Sequence, residues 1–431
     1  MSLKALNPFA YAFRTSHESV NRFHRALGRV IYVFLLLHVL NYFNLLYRNG
    51  NLLDRIFDNV VLPGELSNMA YTALFATALP KVREYSYRVF FVVHLLVVFA
   101  TSFLLFIHAV PARFYIVEAL VVFVLDLAVR KMSTATAQSK IEAVPGTNLI
   151  KISVKLSPRK MTQFAERPGS HAYISIPWPS RPRAVSSLVY EFCFNPFTVA
   201  EVNRDAGEAV LVARQQGGPM TRRLMQLARE STGARVPLAL EGPFGAFATT
   251  YSNLVESGVD RVLLVAGGVG ASFVLPAYKA LREAVPSAKV ELTWAVRLAD
   301  DASWASFSET AAVNGTNVFN DPNVHIYVSG KHSSSTPDYD FDRIASRSSS
   351  IEMQSIGTNG EAAGAGSQAY LRGRPNLKGV VDDVFKDEDA GSRVAVLVCG
   401  PQEMALGVRE SVTPWVARGR DVVWHSESFG W

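Results

Sequence analysis

The apolar residues of this 431-residue chain are concentrated in its first 130 positions, and this asymmetry constrains the fold. A membrane-spanning helix needs about 20 predominantly apolar residues. Four stretches approach that requirement: residues 27–47, 60–79, 89–110 and 114–129. The second is the weakest because Pro63, Glu65 and Asn68 lie near its start. Glu118 and Asp126 in the fourth predict that part of it faces protein or an interface. We therefore predict a membrane domain of about four helices, followed by a soluble segment.

Basic residues indicate the orientation of these spans. They precede the first and third spans and follow the fourth, whereas the opposite loops are less basic. The positive-inside rule then predicts that the N-terminus and the long C-terminal part both lie in the cytosol. We expect an integral protein of the plasma membrane, with the vacuolar or another endomembrane as the alternative.

Two classes of function are disfavoured by composition. The net charge is only +6, and there is no dense Lys/Arg stripe with interleaved aromatic residues, which predicts no nucleic-acid partner. Cys193 and Cys399 are the only two cysteines, which argues against a disulfide framework and against a cysteine-based metal site.

Four histidines in the apolar segment form two pairs with the same spacing. His24 and His38 lie fourteen positions apart, and so do His94 and His108. Fourteen residues make almost four helical turns, so each pair shares a helix face and is separated by about 21 Å along the axis. Both spans are predicted to run outward from the cytosol, which sets His24 level with His94 and His38 level with His108. Facing imidazoles at two levels suit two stacked bis-histidine haems. The alternative is that these are polar residues joining helices through hydrogen bonds.

The sequence around these histidines resembles the ferric reductase and NADPH oxidase superfamily, and in particular its fungal ferric-chelate (metallo)reductase branch. The resemblance rests on HRALGRVIYVFLLLHVLNY, on YRVFFVVHLLVVFATSFLLFIH, and on the seventy-residue step from His24 to His94. It implies an inner haem b held by His24 and His94 and an outer haem b held by His38 and His108. Such proteins usually carry at least two further spans before the first histidine-bearing helix. We therefore expect a short form or a truncated gene model.

The segment after residue 133 contains motifs in a recognisable order. Apolar runs at residues 149–156 and 171–178 predict barrel strands. NPFTVA follows at 195–200, then QQGGPMTRRL at 215–224, then EGPFG at 241–245, which predicts a tight turn closing the barrel. Glycines before a helix suit phosphate binding, although a plain turn and helix cap explains the second motif equally well.

This order resembles the FAD domain of ferredoxin-reductase-like flavoproteins. The resemblance implies that Pro196, Phe197 and Thr198 contact the flavin ring. It also implies that the pyrophosphate is bound by Gly217, Gly218 and Thr221. The family motif normally begins with His where this chain has Asn195.

A strand, a glycine turn and a helix start follow in RVLLVAGGVGASFVLP, residues 261–276, which is the context expected of a pyrophosphate loop. It resembles the nicotinamide-nucleotide loop of the same superfamily. The resemblance implies that the residues near the phosphates are Gly267, Gly268, Gly270 and Ser272. Arg297 ends the next predicted strand, where it either meets the 2′-phosphate of NADPH or is a solvated arginine.

The last motifs are VAVLVCGPQEM at residues 394–404 and the C-terminal WHSESFGW. Cys399, Gly400 and Pro401 resemble the family's Cys-Gly-Pro site beside the nicotinamide, whereas a buried structural cysteine is the alternative. The superfamily commonly covers the flavin ring with a terminal aromatic residue, which implies Phe429 or Trp431, with Trp431 the first choice.

The predicted fold class is multi-domain. It comprises a helical transmembrane haem domain over residues 1–133, a ferredoxin-reductase-like FAD-binding β-barrel over 134–250, and an NADPH-binding α/β domain over 255–431 with a disordered insertion near 330–369. The predicted function is electron transfer from cytosolic NADPH through FAD and two haems b to a ferric or cupric chelate outside the cytosol. A superoxide-generating NADPH oxidase and a non-catalytic truncated paralogue are the alternatives. Partners in iron uptake stay undefined.

Overall fold

The computed structural model describes residues 7–13, 17–182, 190, 193–231, 233–305, 312–313, 316–330, 370–389 and 391–427. The chain divides after Ser133 into two compact units. The predicted insertion lies outside the described residues from position 331 to 369, and so do Phe429 and Trp431.

The first unit is helical in its described part. Its helices are α1 (Pro8–Ala12), α2 (His17–Arg48), α3 (Leu52–Arg55), α4 (Val61–Thr77), α5 (Pro80–Tyr85), α6 (Tyr87–His108) and α7 (Ala112–Ser133). Helices α2, α4, α6 and α7 cover the four predicted spans. Helix α6 begins cleanly because the Ser86 hydroxyl caps it by accepting a hydrogen bond from the Val89 amide.

Length and composition separate these helices into two groups. Among the described residues, Val20–Arg48 and Val89–His108 are the two helical segments long and apolar enough to cross a membrane. Helix α4 has 17 residues, which gives it a length of about 26 Å against a hydrocarbon core of about 30 Å. Helix α7 carries Glu118 and the buried Asp126, as the sequence predicted for a helix that partly faces protein.

Large apolar side chains on α2 and α6 are exposed, among them Phe34, Leu40, Leu96 and Phe103. A contiguous apolar surface of this kind is unfavourable in water and suits contact with lipid chains. The exposed faces therefore agree with a helical unit that is embedded in a bilayer.

The second unit begins with a closed antiparallel barrel. Its strands are β1 (Ala135–Ala143), β2 (Leu149–Lys155), β3 (His171–Ser175), β4 (Asn195–Asn203), β5 (Glu208–Arg214) and β6 (Arg235–Phe244). Around the barrel they follow the order β1-β2-β5-β4-β3-β6. Alternate residues such as Ile150, Ile152 and Val154 fill the interior. Three helices accompany the strands: α8 (Pro158–Ala165), α9 (Pro219–Glu230) and α10 (Phe247–Ser257).

The prediction that EGPFG forms a tight turn was wrong. Strand β6 continues through this motif to Phe244, which pairs with His171 of β3. The register shifts between this pair and the next one, Tyr173 with Glu241. The one extra residue of β6 forms a bulge, which Gly242 accommodates with a φ of 150°. The Gly and Pro residues of the motif therefore mark an irregular strand and not its end.

The remaining strands form a parallel sheet: β7 (Arg261–Gly267), β8 (Lys289–Val296), β11 (Val324–Val328), β12 (Leu371–Arg372), β13 (Arg393–Cys399) and β14 (Asp421–Glu427). Two short strands, β9 (Ala312–Val313) and β10 (Thr316–Asn317), pair separately. The sheet order is β12-β11-β8-β7-β13-β14. The chain therefore proceeds outward in one direction from β7 and later returns to place β13 on its other side. Such a switch point leaves a crevice at the carboxyl ends of β7 and β13.

Both faces of the central strand β7 are covered, which explains its continuous apolar sequence. Val262 and Leu264 pack on the side that holds α10 and α11 (Ala271–Ala284). Leu263 and Val265 pack on the opposite side against α12 (Leu377–Lys386) and α13 (Gln402–Ala417). The packed helices hold the turn after β7 in a fixed place.

Candidate functional site

The four histidines predicted from their spacing meet in two pairs in the helical unit. His24 of α2 lies beside His94 of α6, with ring centroids 6.2 Å apart. His38 lies beside His108, with ring centroids 6.5 Å apart. The same two helices therefore bring imidazoles together at two levels.

These separations fit two imidazoles that share one iron ion. Metal–nitrogen bonds of about 2.0 Å and ring-centre-to-nitrogen distances of about 1.15 Å would place the centroids about 6.3 Å apart. The polar surroundings of the two pairs differ. The Nδ1 atom of His94 is buried without a hydrogen-bond partner among the described residues, and Nδ1 of His108 lies 2.6 Å from the Val60 carbonyl oxygen. Both pairs suit axial ligation of a haem.

The NPFT motif lies in β4, where it pairs with β3. Thr198 is opposite His171, Phe197 is opposite Ala172, and Pro196 is opposite Tyr173. Pro196 and Phe197 are half-buried, whereas Thr198 is buried. The motif thus offers an apolar edge and backbone groups at the barrel surface, as binding of a planar ring requires.

The GGPMT motif opens helix α9. Gly217 and Gly218 are exposed, and Gly218 is the N-cap residue. No atom lies within 4 Å of the position that a Cβ would take at Gly218. The Thr221 hydroxyl both accepts from the Gln216 amide and donates to the Gln216 carbonyl, at 3.0 Å each. Thr221 therefore fixes the loop while the glycines leave the helix N-terminus open to an anion.

The GGVG turn after β7 packs against the Cys-Gly-Pro turn after β13. A Cβ at Gly267 would lie 2.5 Å from Cδ of Pro401. A Cβ at Gly400 would lie 3.0 Å from the Cα atom of Gly267, and one at Gly270 would overlap the Cys399 carbonyl. These glycines are required because the two turns meet backbone to backbone at the switch point.

Gly268 has a different environment within the same turn. Its φ is +56°, in the left-handed region, and its carbonyl accepts a hydrogen bond of 2.9 Å from Nε1 of Trp294. Ser272 is buried in the first turn of α11. The tryptophan anchors the turn at the edge of the crevice.

Two arginines beside the glycine turns were not among the predicted residues. Nη2 of Arg214 is 3.5 Å from the Cβ position of Gly268, and Nη2 of Arg222 is 3.7 Å from that of Gly217. Arg214 also pairs with Asp301 at 3.7 Å. Guanidinium groups are the preferred partners of phosphates. Both arginines flank the QQGG sequence, and this placement was the sequence signal that could have identified them.

The other predicted residues occupy contrasting environments. Arg297 is exposed and lies one position beyond the end of β8. Cys399 ends β13 and is fully buried, and burial raises the pKa of its thiol well above the usual value, with a smaller contribution from Glu427. A buried, protonated thiol is what the alternative of a structural cysteine predicts. Phe429 and Trp431 lie outside the described residues.

A hydrogen-bonded group outside the set of predicted residues lies at the end of β14. His425 contacts the Thr250 hydroxyl through Nδ1 at 3.2 Å and the Glu427 carboxylate through Nε2 at 3.1 Å. Its ring packs on Phe247 and Phe273. In the sheet, Glu427 is the register partner of Cys399. This group fixes the strand from which the C-terminal residues continue.

Three protein-family models match successive parts of the chain. A ferric reductase like transmembrane component matches residues 1–122, an FAD-binding domain matches residues 128–248, and a ferric reductase NAD binding domain matches residues 259–413.

Several fungal proteins are similar over most of the chain. Ferric reductase transmembrane component 1 of Schizosaccharomyces pombe is 24% identical, with 98% of this chain and 75% of that protein covered. A probable metalloreductase of Meyerozyma guilliermondii is 23% identical, with 88% and 71% covered. Ferric/cupric reductase transmembrane component 2 of Schizosaccharomyces pombe is 21% identical, with 98% and 76% covered.

Proposed function

Because this chain belongs to the fungal branch of the ferric reductase family, we propose that it carries electrons from cytosolic NADPH through FAD and two b-type haems to a ferric or cupric chelate outside the cytosol. The observation that carries this proposal is the pairing of His24 with His94 and of His38 with His108. A single pair would serve one leaflet, whereas two levels about 21 Å apart provide a route through most of the hydrocarbon core.

The barrel and the parallel sheet supply the cytosolic end of this route. The glycines that open α9 and the nearby Arg222 suit the pyrophosphate of FAD. The crevice between the β7 and β13 turns suits the nicotinamide nucleotide, with Arg297 in reach of a 2′-phosphate. When bound, FAD would supply hydride acceptance and the haems single-electron transfer, while the protein supplies position and potential.

The choice of acceptor rests on the relatives. Their names describe ferric, ferric/cupric or metal reductases, and we extend that activity to this chain. The plasma membrane and the cytosolic location of residues 134–431 are part of the same proposal, supported by the basic residues that flank the spans.

Reduced-minus-oxidised spectra of membranes that contain the protein test the proposal. We expect b-type haem that is reduced by NADPH and reoxidised when a ferric chelate is added. His38→Ala or His108→Ala should abolish chelate reduction while flavin reduction by NADPH continues. Val98→Ala, on an exposed face of α6, is the matched control and should change neither activity. A flat haem spectrum would rule out the proposal, and superoxide formation without chelate reduction would favour an oxidase.

A further inference from the structure

The amino end of helix α4 lies against the ring of His108. The Val60 carbonyl oxygen, at the N-cap position of this helix, is 2.6 Å from Nδ1 of His108. A Cβ atom at Gly64 would lie 2.5 Å from Cε1 and 2.6 Å from Nδ1 of the same ring. One turn of α4 therefore touches this imidazole both through a polar contact and through close packing.

The contact with Val60 determines which ring nitrogen is available to a metal. A carbonyl oxygen only accepts hydrogen bonds, so Nδ1 of His108 carries the proton and donates it. Nε2 then keeps its lone pair for coordination. A hydrogen bond from the second nitrogen is the usual way in which a protein fixes the tautomer and orientation of a metal-ligating histidine and raises its basicity.

Gly64 allows the ring to occupy this position. Any other residue would bring a Cβ within 3.0 Å of three ring atoms of His108. Ordinary carbon contacts are about 3.5–4.0 Å, so an added methyl group would displace the ring by about 1 Å. The glycine and the neighbouring Pro63 and Glu65 weaken α4 as a span, and they lie in the turn that faces the histidine.

The corresponding atom of the inner pair has no such support. Nδ1 of His94 is buried and lacks a hydrogen-bond partner within the described part of the chain. Helices α2 and α6 supply the histidines of both levels, whereas the Val60 carbonyl and Gly64 of α4 lie against the outer ligand His108. The two levels are therefore built unequally.

We propose that Val60 and Gly64 form a positioning cradle for His108, which orients it as an axial ligand of the outer haem and sets that haem's potential apart from the inner one. This inference rests on the proposed function, because it assigns the support of one of its two haem sites. Val60 and Gly64 are positioning residues and take no part in electron transfer themselves.

Gly64→Ala in the full-length protein tests the cradle, with Gly28→Ala as the control. Gly28 lies in α2, and no atom is found within 4 Å of its Cβ position. Both changes replace a helical glycine by alanine, but only Gly64 contacts His108. The readouts are a spectroelectrochemical titration of the haems and the electron paramagnetic resonance g-values of their ferric forms. His38→Ala identifies the component that belongs to the outer haem.

In Gly64→Ala we expect the outer component to shift in potential and g-values, or to be lost, while the inner component and flavin reduction by NADPH stay unchanged. Gly28→Ala should match the wild type. An unchanged outer component in Gly64→Ala overturns the cradle. If the wild type itself shows no haem, the proposed function fails instead, so the two failures are distinguishable.

A second measurement covers the case in which Gly64→Ala does not accumulate in membranes. Redox-induced infrared difference spectra of the wild type, prepared with isotope-labelled histidine, report hydrogen bonding at Nδ1. Ring modes of a histidine that donates from Nδ1 should accompany the outer titration step and be missing from the inner one. Identical ring modes in both steps would contradict the proposal.

Discussion

Gly270 lies directly against the carbonyl group of Cys399, so that a Cβ atom at position 270 would overlap the oxygen. The contact joins the turns that follow β7 and β13, the adjacent strands at the switch point of the parallel sheet. Because backbone atoms fill this space, neither turn can move aside without disturbing its strand.

Gly270→Ala should therefore destabilise the nucleotide-binding part of the protein. Overpacking of this kind costs about 1–3 kcal/mol, which should lower the thermal midpoint and slow flavin reduction by NADPH. Gly391→Ala is the control, since no atom lies within 4 Å of its Cβ position. Equal midpoints for the two variants would show that the turns are not packed as described.

Arg297→Ala should reduce the preference for NADPH over NADH. A hydrogen bond to a charged group contributes about 1.5–3 kcal/mol, so the ratio of kcat/KM for the two nucleotides should fall about tenfold or more. Arg372→Ala removes an exposed arginine from the edge strand β12, which β11 separates from β8, and should leave the ratio unchanged. If Arg297→Ala also leaves the ratio unchanged, Arg297 is a solvated strand-end residue.

The buried thiol of Cys399 predicts a dependence of stability on alkaline pH. Its pKa is raised in the folded protein by burial and secondarily by Glu427, whereas the pKa of a free thiol is about 8.5. The contribution of the protonated thiol to the free energy of unfolding is complete below the pKa that the thiol has in the unfolded chain. It is lost as the pH rises above that value, by up to about 1.4 kcal/mol per pH unit.

The measurement is the thermal midpoint of the purified protein between pH 7 and 10. Cys399→Ala should flatten the alkaline decrease. Cys193→Ala, which alters the less buried cysteine, should retain it. Parallel curves for Cys399→Ala and the wild type would count against ionisation of this thiol as the cause.

Thr250→Val should weaken the attachment of strand β14. His425 donates from Nε2 to the Glu427 carboxylate, so its Nδ1 accepts from the Thr250 hydroxyl. Valine keeps the volume but removes the donor, at a cost of about 0.5–1.5 kcal/mol. Thr250→Ser keeps the hydroxyl and should be closer to the wild type in thermal midpoint. The reverse order of the two midpoints would assign the stability to packing of the methyl group.

Several features of the fold followed from sequence alone because they depend on local geometry. The shared helix face of His24 and His38, and that of His94 and His108, was predictable, since fourteen residues in any helix return to nearly the same face. The equal spacing then lets both levels meet once the two helices pack side by side. The glycine turn after β7 was predictable as well, because an apolar strand followed by glycines has few other structures.

Other features depend on contacts between distant parts of the chain. Val60 and His108 are 48 positions apart, and no local pattern links a carbonyl at the start of one helix to a ring at the end of another. The EGPFG motif was misjudged for a related reason. Its Gly and Pro residues indicate a turn locally, but pairing of Phe244 with His171 keeps the segment in the barrel.

The central claim is that electrons cross the bilayer through the two histidine levels. Sealed vesicles test it most directly, with NADPH supplied only at the face that carries residues 134–431 and a membrane-impermeant ferric chelate only at the other face. We predict chelate reduction by the wild type, together with its loss in His38→Ala, in which NADPH still reduces the flavin and the inner haem. Undiminished chelate reduction by His38→Ala would contradict the account.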